Sequence, residues 1–214
     1  MKNFIRKLML MMFLGTFALT AVQAQTVVQI GNGTSTTYRY PLNMYYRYSW
    51  NRMLYLSSEI GNSTAPVRIT KIAFQYFYGT SYNMTNQTCY LEATTATSLS
   101  AGYINPSSSG ATQVWTGTLN CVQGWVEITL QTPFILPAGS NLHLHWHHNM
   151  GTYPGSSYTF YYTSATNMAV DAYSDASFPS GSSGSVTAYR PNTRITWMPL
   201  GRSAAVTQIT SPSS

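Results

Sequence analysis

Charge is what this sequence has least of. Only 7% of its 214 residues are Asp, Glu, Lys or Arg, and just five of those are acidic: Glu59, Glu92, Glu127, Asp171 and Asp175. Glycoside hydrolysis by paired carboxylates therefore has little to draw on. Lysine is scarcer still, since after Lys2 and Lys7 only Lys71 remains. Arg39, Arg47, Arg52, Arg68, Arg190, Arg194 and Arg202 are scattered along the chain. The clustered basic footprint of a nucleic-acid binder is absent, so nucleic acid is not expected as a partner. No G-x-S-x-G elbow and no glycine-rich phosphate loop occurs. Cysteine is limited to Cys89 and Cys121. Beyond residue 24 no apolar run is long enough for a spanning helix, and none shows a 3.6-residue apolar stripe.

The first 24 residues read as a secretory signal peptide. Lys2, Arg6 and Lys7 form a basic start, and Leu8 to Val22 form a mostly apolar core. Val22 and Ala24 suit cleavage after Ala24. Without the three basic leader residues the formal charge of +6 falls to +3. Residues 25–199 are then expected to form one domain, large enough to bury about 70% of its unfolded surface. Residues 200–214, "LGRSAAVTQITSPSS", lose all patterning and read as a linker or disordered tail. The expected location is secreted or at the cell surface, with further domains in a longer parent chain and no membrane span once the leader is removed. An exported pair of cysteines also invites one disulfide, Cys89–Cys121. It would close a loop of 33 residues, worth about 3.5–4 kcal/mol in the chain-entropy account. Two separate buried thiols are the alternative.

What the chain does have is alternation. In "VRITKIAFQYFYG", Ile72, Phe74, Tyr76 and Tyr78 fall on one face. In "GWVEITL", Val126, Ile128 and Leu130 point one way while Trp125, Glu127 and Thr129 point the other. "SYTFYYT" places Tyr158, Phe160 and Tyr162 together. "TVVQI", "RMLYLS", "QTCYLEATTA", "TQVWTGTL", "NLHLHWHH", "NMAVDAY" and "TRITWM" read as further strands, separated by turn clusters such as "GNGTST" and "FPSGSSGS". Many short strands at close spacing predict an all-β fold, an antiparallel β-sandwich of jelly-roll type.

Three stretches carry a more specific likeness: "IGNGTSTTYRYPLNMYYRYSWNRMLYLSSEIG", "ITKIAFQYFYG" and "GWVEITLQTPFILPAGSNLHLHW". In order and spacing, across most of residues 28–148, they resemble an N-terminal module of secreted and surface proteins of Bacteroidetes-type bacteria. "TRITW" near the end fits too. The resemblance implies a jelly-roll-like sandwich akin to cleaved-adhesin modules. It also implies fibronectin type III or other Ig-like domains, and a sorting domain, elsewhere in the parent chain. It carries no catalytic motif.

Candidate sites follow from residue chemistry. All four histidines lie in "NLHLHWHHNMG", residues 141–151. On a strand, residues two apart share a face with Cα atoms about 6.6 Å apart, so His143, His145 and His147 can converge on an ion such as zinc. Asp171 or Glu127 would serve as outside ligand. The histidine pair is similar to that of cupins, but the glutamate expected shortly after it is missing. The competing reading packs Leu142, Leu144 and Trp146 inward and shows the histidines to solvent. "AVDAYSDAS" offers Asp171 and Asp175 to calcium, or simply to a turn. Glu127 beside Trp125 is the best isolated catalytic carboxylate, or a solvated strand residue. The 17 tyrosines and 5 tryptophans are the remaining signal. "YRYPLNMYYRYSW" interleaves Tyr38, Tyr40, Tyr45, Tyr46 and Trp50 with Arg39 and Arg47, a contact patch for an extracellular glycan or protein, or else packing between sheets.

These readings favour a non-enzymatic extracellular module for adhesion or ligand binding that needs no cofactor. The alternative is an accessory domain of a secreted protease or glycan-degrading enzyme. A metal-dependent enzyme is the third class.

Overall fold

The structure, a computed structural model, describes residues 24–200. The expected signal peptide up to residue 23, and the expected tail from residue 201, lie outside the described residues. Eleven strands are described: β1 (Thr26–Ile30), β2 (Ser35–Thr37), β3 (Tyr48–Tyr55), β4 (Val67–Tyr76), β5 (Tyr82–Thr94), β6 (Thr112–Cys121), β7 (Gly124–Leu136), β8 (Asn141–Asn149), β9 (Phe160–Ser174), β10 (Ser185–Pro191) and β11 (Thr193–Pro199). All pairings are antiparallel. Among the described residues the helical pieces are single turns, Ser57–Ile60 and Pro106–Ser109. The all-β expectation holds. No helix among the described residues is long and apolar enough to cross a membrane.

Hydrogen bonds run unbroken along β1-β11-β4-β9-β3-β8-β5-β6, with β7 on β4 and both β2 and β10 on β9. The path folds over where β9 meets β4 at one register pair, Tyr76 opposite Phe160. Strands β6-β5-β8-β3-β9-β10 form one layer and β1-β11-β4-β7 the other. Phe74 of β4 meets Trp146 of β8 edge to face at 5.7 Å, and Trp115 of β6 lies 5.7 Å from the same indole. Leu142, Leu144, Ile72, Leu91 and Val126 complete this core.

The alternation in β4 is real but changes phase. Val67 and Ile69 are buried, and so are Ile72, Phe74 and Tyr76. Against β11 the register slips here, with Ile69 opposite Trp197 and Lys71 opposite Thr196. Thr70 is the extra residue of a β-bulge, which returns the apolar set to the core side. A second device sits in β9, where "SYTFYYT" and "NMAVDAY" prove to be largely one strand. Asn167 adopts a left-handed φ of 58° at its middle, a conformation that Asn tolerates. Ahead of it β9 pairs with β2, and beyond it with β3.

The disulfide expectation is corrected: both cysteines are free and buried. Cys121 stands opposite Tyr82 and Cys89 opposite Trp115 on the paired strands β5 and β6. The two sulfurs are thus offset by seven strand positions, about 20 Å along the ladder, well beyond disulfide reach. Burial pushes both thiols up, Cys121 to about 12. The folded chain should give no reaction with a thiol-disulfide reagent at neutral pH and should release two equivalents of product once denatured.

Candidate functional site

Strand β8 lies between β3 and β5. Its even-numbered residues Leu142, Leu144 and Trp146 are fully buried in the main core. The opposite face is covered as well. Leu99 and Tyr103 from the β5–β6 connection, and Phe178 from the β9–β10 connection, close over Trp50, Leu54, Val170 and Ala172. His143 and His145 are therefore only 7% and 3% exposed. The expectation of solvent-facing histidines is corrected, and its physical cause is this cover.

The expected trio also separates. His147 packs against the rings of Tyr90 and Phe178 at 5.2 and 4.8 Å. His143 and His145 instead meet Glu92, which the β5–β8 register sets directly opposite His143. Glu92 Oε2 lies 3.0 Å from His145 Nε2 and 3.4 Å from His143 Nδ1. The three ligand atoms lie within 4.8 Å of one another. The bond from His145 holds the Glu92 carboxyl below its usual range. Burial pushes His143 down to about 4 and lowers His145 too. The resting state is a carboxylate receiving N–H bonds from neutral imidazoles.

Arg52, across from His145 on β3, completes this face. It is 3% exposed and gives one hydrogen bond, from Nη2 to the Ser100 carbonyl at 3.0 Å. Its Nε and Nη1, and His143 Nε2, are buried without a protein partner. The outside ligands expected from sequence are engaged elsewhere. Glu127 pairs with Lys71 at 2.7 Å, on the solvated surface. Asp171 accepts from Arg39 Nε at 3.1 Å and from the Tyr40 hydroxyl at 3.0 Å. Asp175 accepts the Arg47 N–H. That geometry also removes the calcium reading, because Asp171 is buried around a guanidinium rather than open to a second carboxylate. Glu92 and Arg52 are the residues sequence reasoning missed. Nothing local marks them, since only the strand register brings them to the histidines.

The aromatic segment divides by depth. Tyr40 and Trp50 are buried, one bonded to Asp171 and the other donating to the Pro179 carbonyl at 2.9 Å. They are corrected from contact residues to core residues. Tyr38, Tyr45 and Tyr46 remain at the surface and join Tyr153 and Tyr173 through ring contacts of 4.1 to 5.6 Å. Asn43 sets their display, its Oδ1 accepting the N–H groups of Tyr45 and Tyr46. Arg39 stacks over Tyr173 at 5.7 Å. Beside this patch lies a groove of about 470 Å³, lined by Thr36, Tyr38, Arg39, Thr159, Tyr162 and Tyr189, among others.

The "GNGT" turn leads into β2, whose Thr36 and Thr37 line the groove. Gly33 donates to Thr163 Oγ1 at 2.8 Å, and Asn192 Nδ2 returns a bond to the Gly33 carbonyl at 2.8 Å. A Cβ on Gly33 would stand 2.0 Å from the Tyr162 carbonyl oxygen, so only glycine lets β2 lie this close to β9.

No family model matches the chain, no curated protein matches it and no solved structure matches it. The chemistry of the two sites must therefore speak for itself. One is a buried cluster of neutral imidazoles, a carboxylate and an arginine. The other is an open, hydroxyl- and tyrosine-lined groove.

Removing the Asp171 carboxylate leaves Arg39 half-buried without its partner. Asp171→Ala should cost about 3–5 kcal/mol, read from urea unfolding followed by tryptophan fluorescence. A pH effect follows from His148, fully buried between Gln87 and the Tyr46 carbonyl. Burial pushes His147 and His148 from 6.5 down to about 4. Between those values the unfolded chain takes up protons that the folded chain refuses, so stability falls as pH drops. Unfolding free energy should decline steadily from pH 6.5 to 4, and a flat profile would contradict the neutral buried state.

Proposed function

We propose that this chain is a non-enzymatic extracellular β-sandwich module, of secreted or cell-surface location, that binds a carbohydrate. The observation that carries the reading is the groove beside the tyrosine patch. Tyr38 belongs to both, while Tyr162 and Tyr189 meet at 4.9 Å, tilted by 60°, on the groove wall. Flat rings offer apolar area to the C–H faces of a sugar at little entropic cost. The hydroxyls of Thr36, Thr37, Ser156 and Thr159 and the guanidinium of Arg39 supply hydrogen bonds. With only five acidic residues, none placed in the groove, carboxylate-driven hydrolysis is not the chemistry this surface supports. The basic-then-apolar N-terminus supports export, and the likeness to surface-protein modules agrees with it.

An array of bacterial and host glycans probed with the untagged chain tests this. Binding is expected, and Tyr38→Ala and Tyr162→Ala should each weaken it roughly tenfold, as loss of an aromatic anchor does. A wild-type chain that binds no glycan, or variants that bind as well as the wild type, would defeat the proposal.

A further inference from the structure

We propose that Glu92, His143 and His145 form a three-ligand site for a divalent first-row metal ion, zinc foremost, beside Arg52. The inference is independent of the carbohydrate groove, which shares none of these residues.

The distances favour it. In a tetrahedral shell with bonds of about 2.0–2.1 Å, neighbouring ligand atoms stand about 3.3 Å apart. The carboxylate oxygen is 3.0 Å and 3.4 Å from the two imidazole nitrogens, so two edges of such a shell are already set. The backbone holds them there. His143 and His145 project from one face of a strand paired on both sides, and Glu92 comes from the neighbouring strand in fixed register. Little reorganisation is needed for an ion to replace the N–H bonds. The donor set selects the metal, since imidazole with a carboxylate suits zinc, copper or nickel, whereas calcium and magnesium demand oxygen.

A second, separate observation points to a ligand. Buried polar atoms are almost always partnered, yet two N–H atoms of Arg52, Nε and Nη1, stand orphaned beside this cluster. Arg52 is also an obstacle, because its charge opposes a bare cation. Both facts meet in one arrangement. The metal enters with an anionic oxygen as its fourth ligand, which offsets the guanidinium charge and accepts its free N–H groups. Glu92 keeps partial exposure, which gives the ion a way in.

The test uses the untagged chain, stripped with chelator and titrated with zinc in a calorimeter. One equivalent should bind, with a rise in melting temperature. Glu92→Gln and His145→Gln should each weaken binding by more than about 100-fold. His147→Ala, which alters a neighbour on the same face, should bind as the wild type does. Failure of the folded wild type to take up stoichiometric zinc would overturn the site. So would equal binding by Glu92→Gln, or equal loss in His147→Ala. Should the ligand variants fail to fold by circular dichroism, cobalt(II) in the wild type decides. Intense visible bands of a four-coordinate ion at one equivalent support the assignment, and their absence refutes it.

Discussion

Strand β8 has no solvent side. One face holds Leu142, Leu144 and Trp146 in the core between the layers, and the other is roofed by the β5–β6 and β9–β10 connections. A polar group in such a place is costly unless it is partnered. Much of the arrangement around β8 answers that demand. Gln87 accepts from Trp146 Nε1 at 2.9 Å and reaches His148 Nδ1 at 2.7 Å. His148 in turn meets the Tyr46 carbonyl, which ties the strand to the segment that displays the surface tyrosines. Glu92 serves His143 and His145, and His147 packs among the rings of Tyr90 and Phe178. The Glu92–His143–His145 cluster and the tie from His148 to Tyr46 both lie on this strand buried on both faces.

Scarcity of charge has a second consequence. Each of the five carboxylates has a partner: Glu59 with Arg190, Glu92 with two histidines, Glu127 with Lys71, Asp171 with Arg39, Asp175 with the Arg47 backbone. Two of these carboxylates do scaffold work. Glu59 takes two bonds from the buried Arg190, at 2.7 and 2.9 Å, and pins the single helical turn after β3 to β10. Asp171 pins residues 39 and 40 to β9. Gly61 closes the same helical turn in a left-handed conformation, so "EIG", like "GNGT", is explained by backbone geometry. The surface is left to tyrosine, serine and threonine, whose hydroxyls and rings suit uncharged ligands.

Much of the fold was legible in alternation. Val126, Ile128 and Leu130 face the core as their period of two requires, and the strands around Ile72, Leu142 and Ile195 lie where that pattern puts them. Strands β2 and β10 were not legible. "STT" is three residues within a turn-like run, and "SVTAYRP" has one strong apolar residue before its end. Both owe their structure to pairing with β9 rather than to burial of their own side chains. The bulge at Thr70 was equally silent, because a phase slip in an apolar pattern reads simply as a richer strand.

The sequence alone determined the fold class, the apolar faces of the principal strands and the presence of histidines at strand spacing, because these depend on residues two apart along one chain. The tertiary structure decided the rest. It placed Glu92 opposite His143 and Arg52 opposite His145, partners 51 and 93 residues apart in sequence. It set Cys89 and Cys121 seven strand positions apart. It sent Tyr40 and Trp50 inward while leaving Tyr38, Tyr45 and Tyr46 at the surface. Register between strands and the cover over a sheet face are properties of long-range packing, and no local period encodes them.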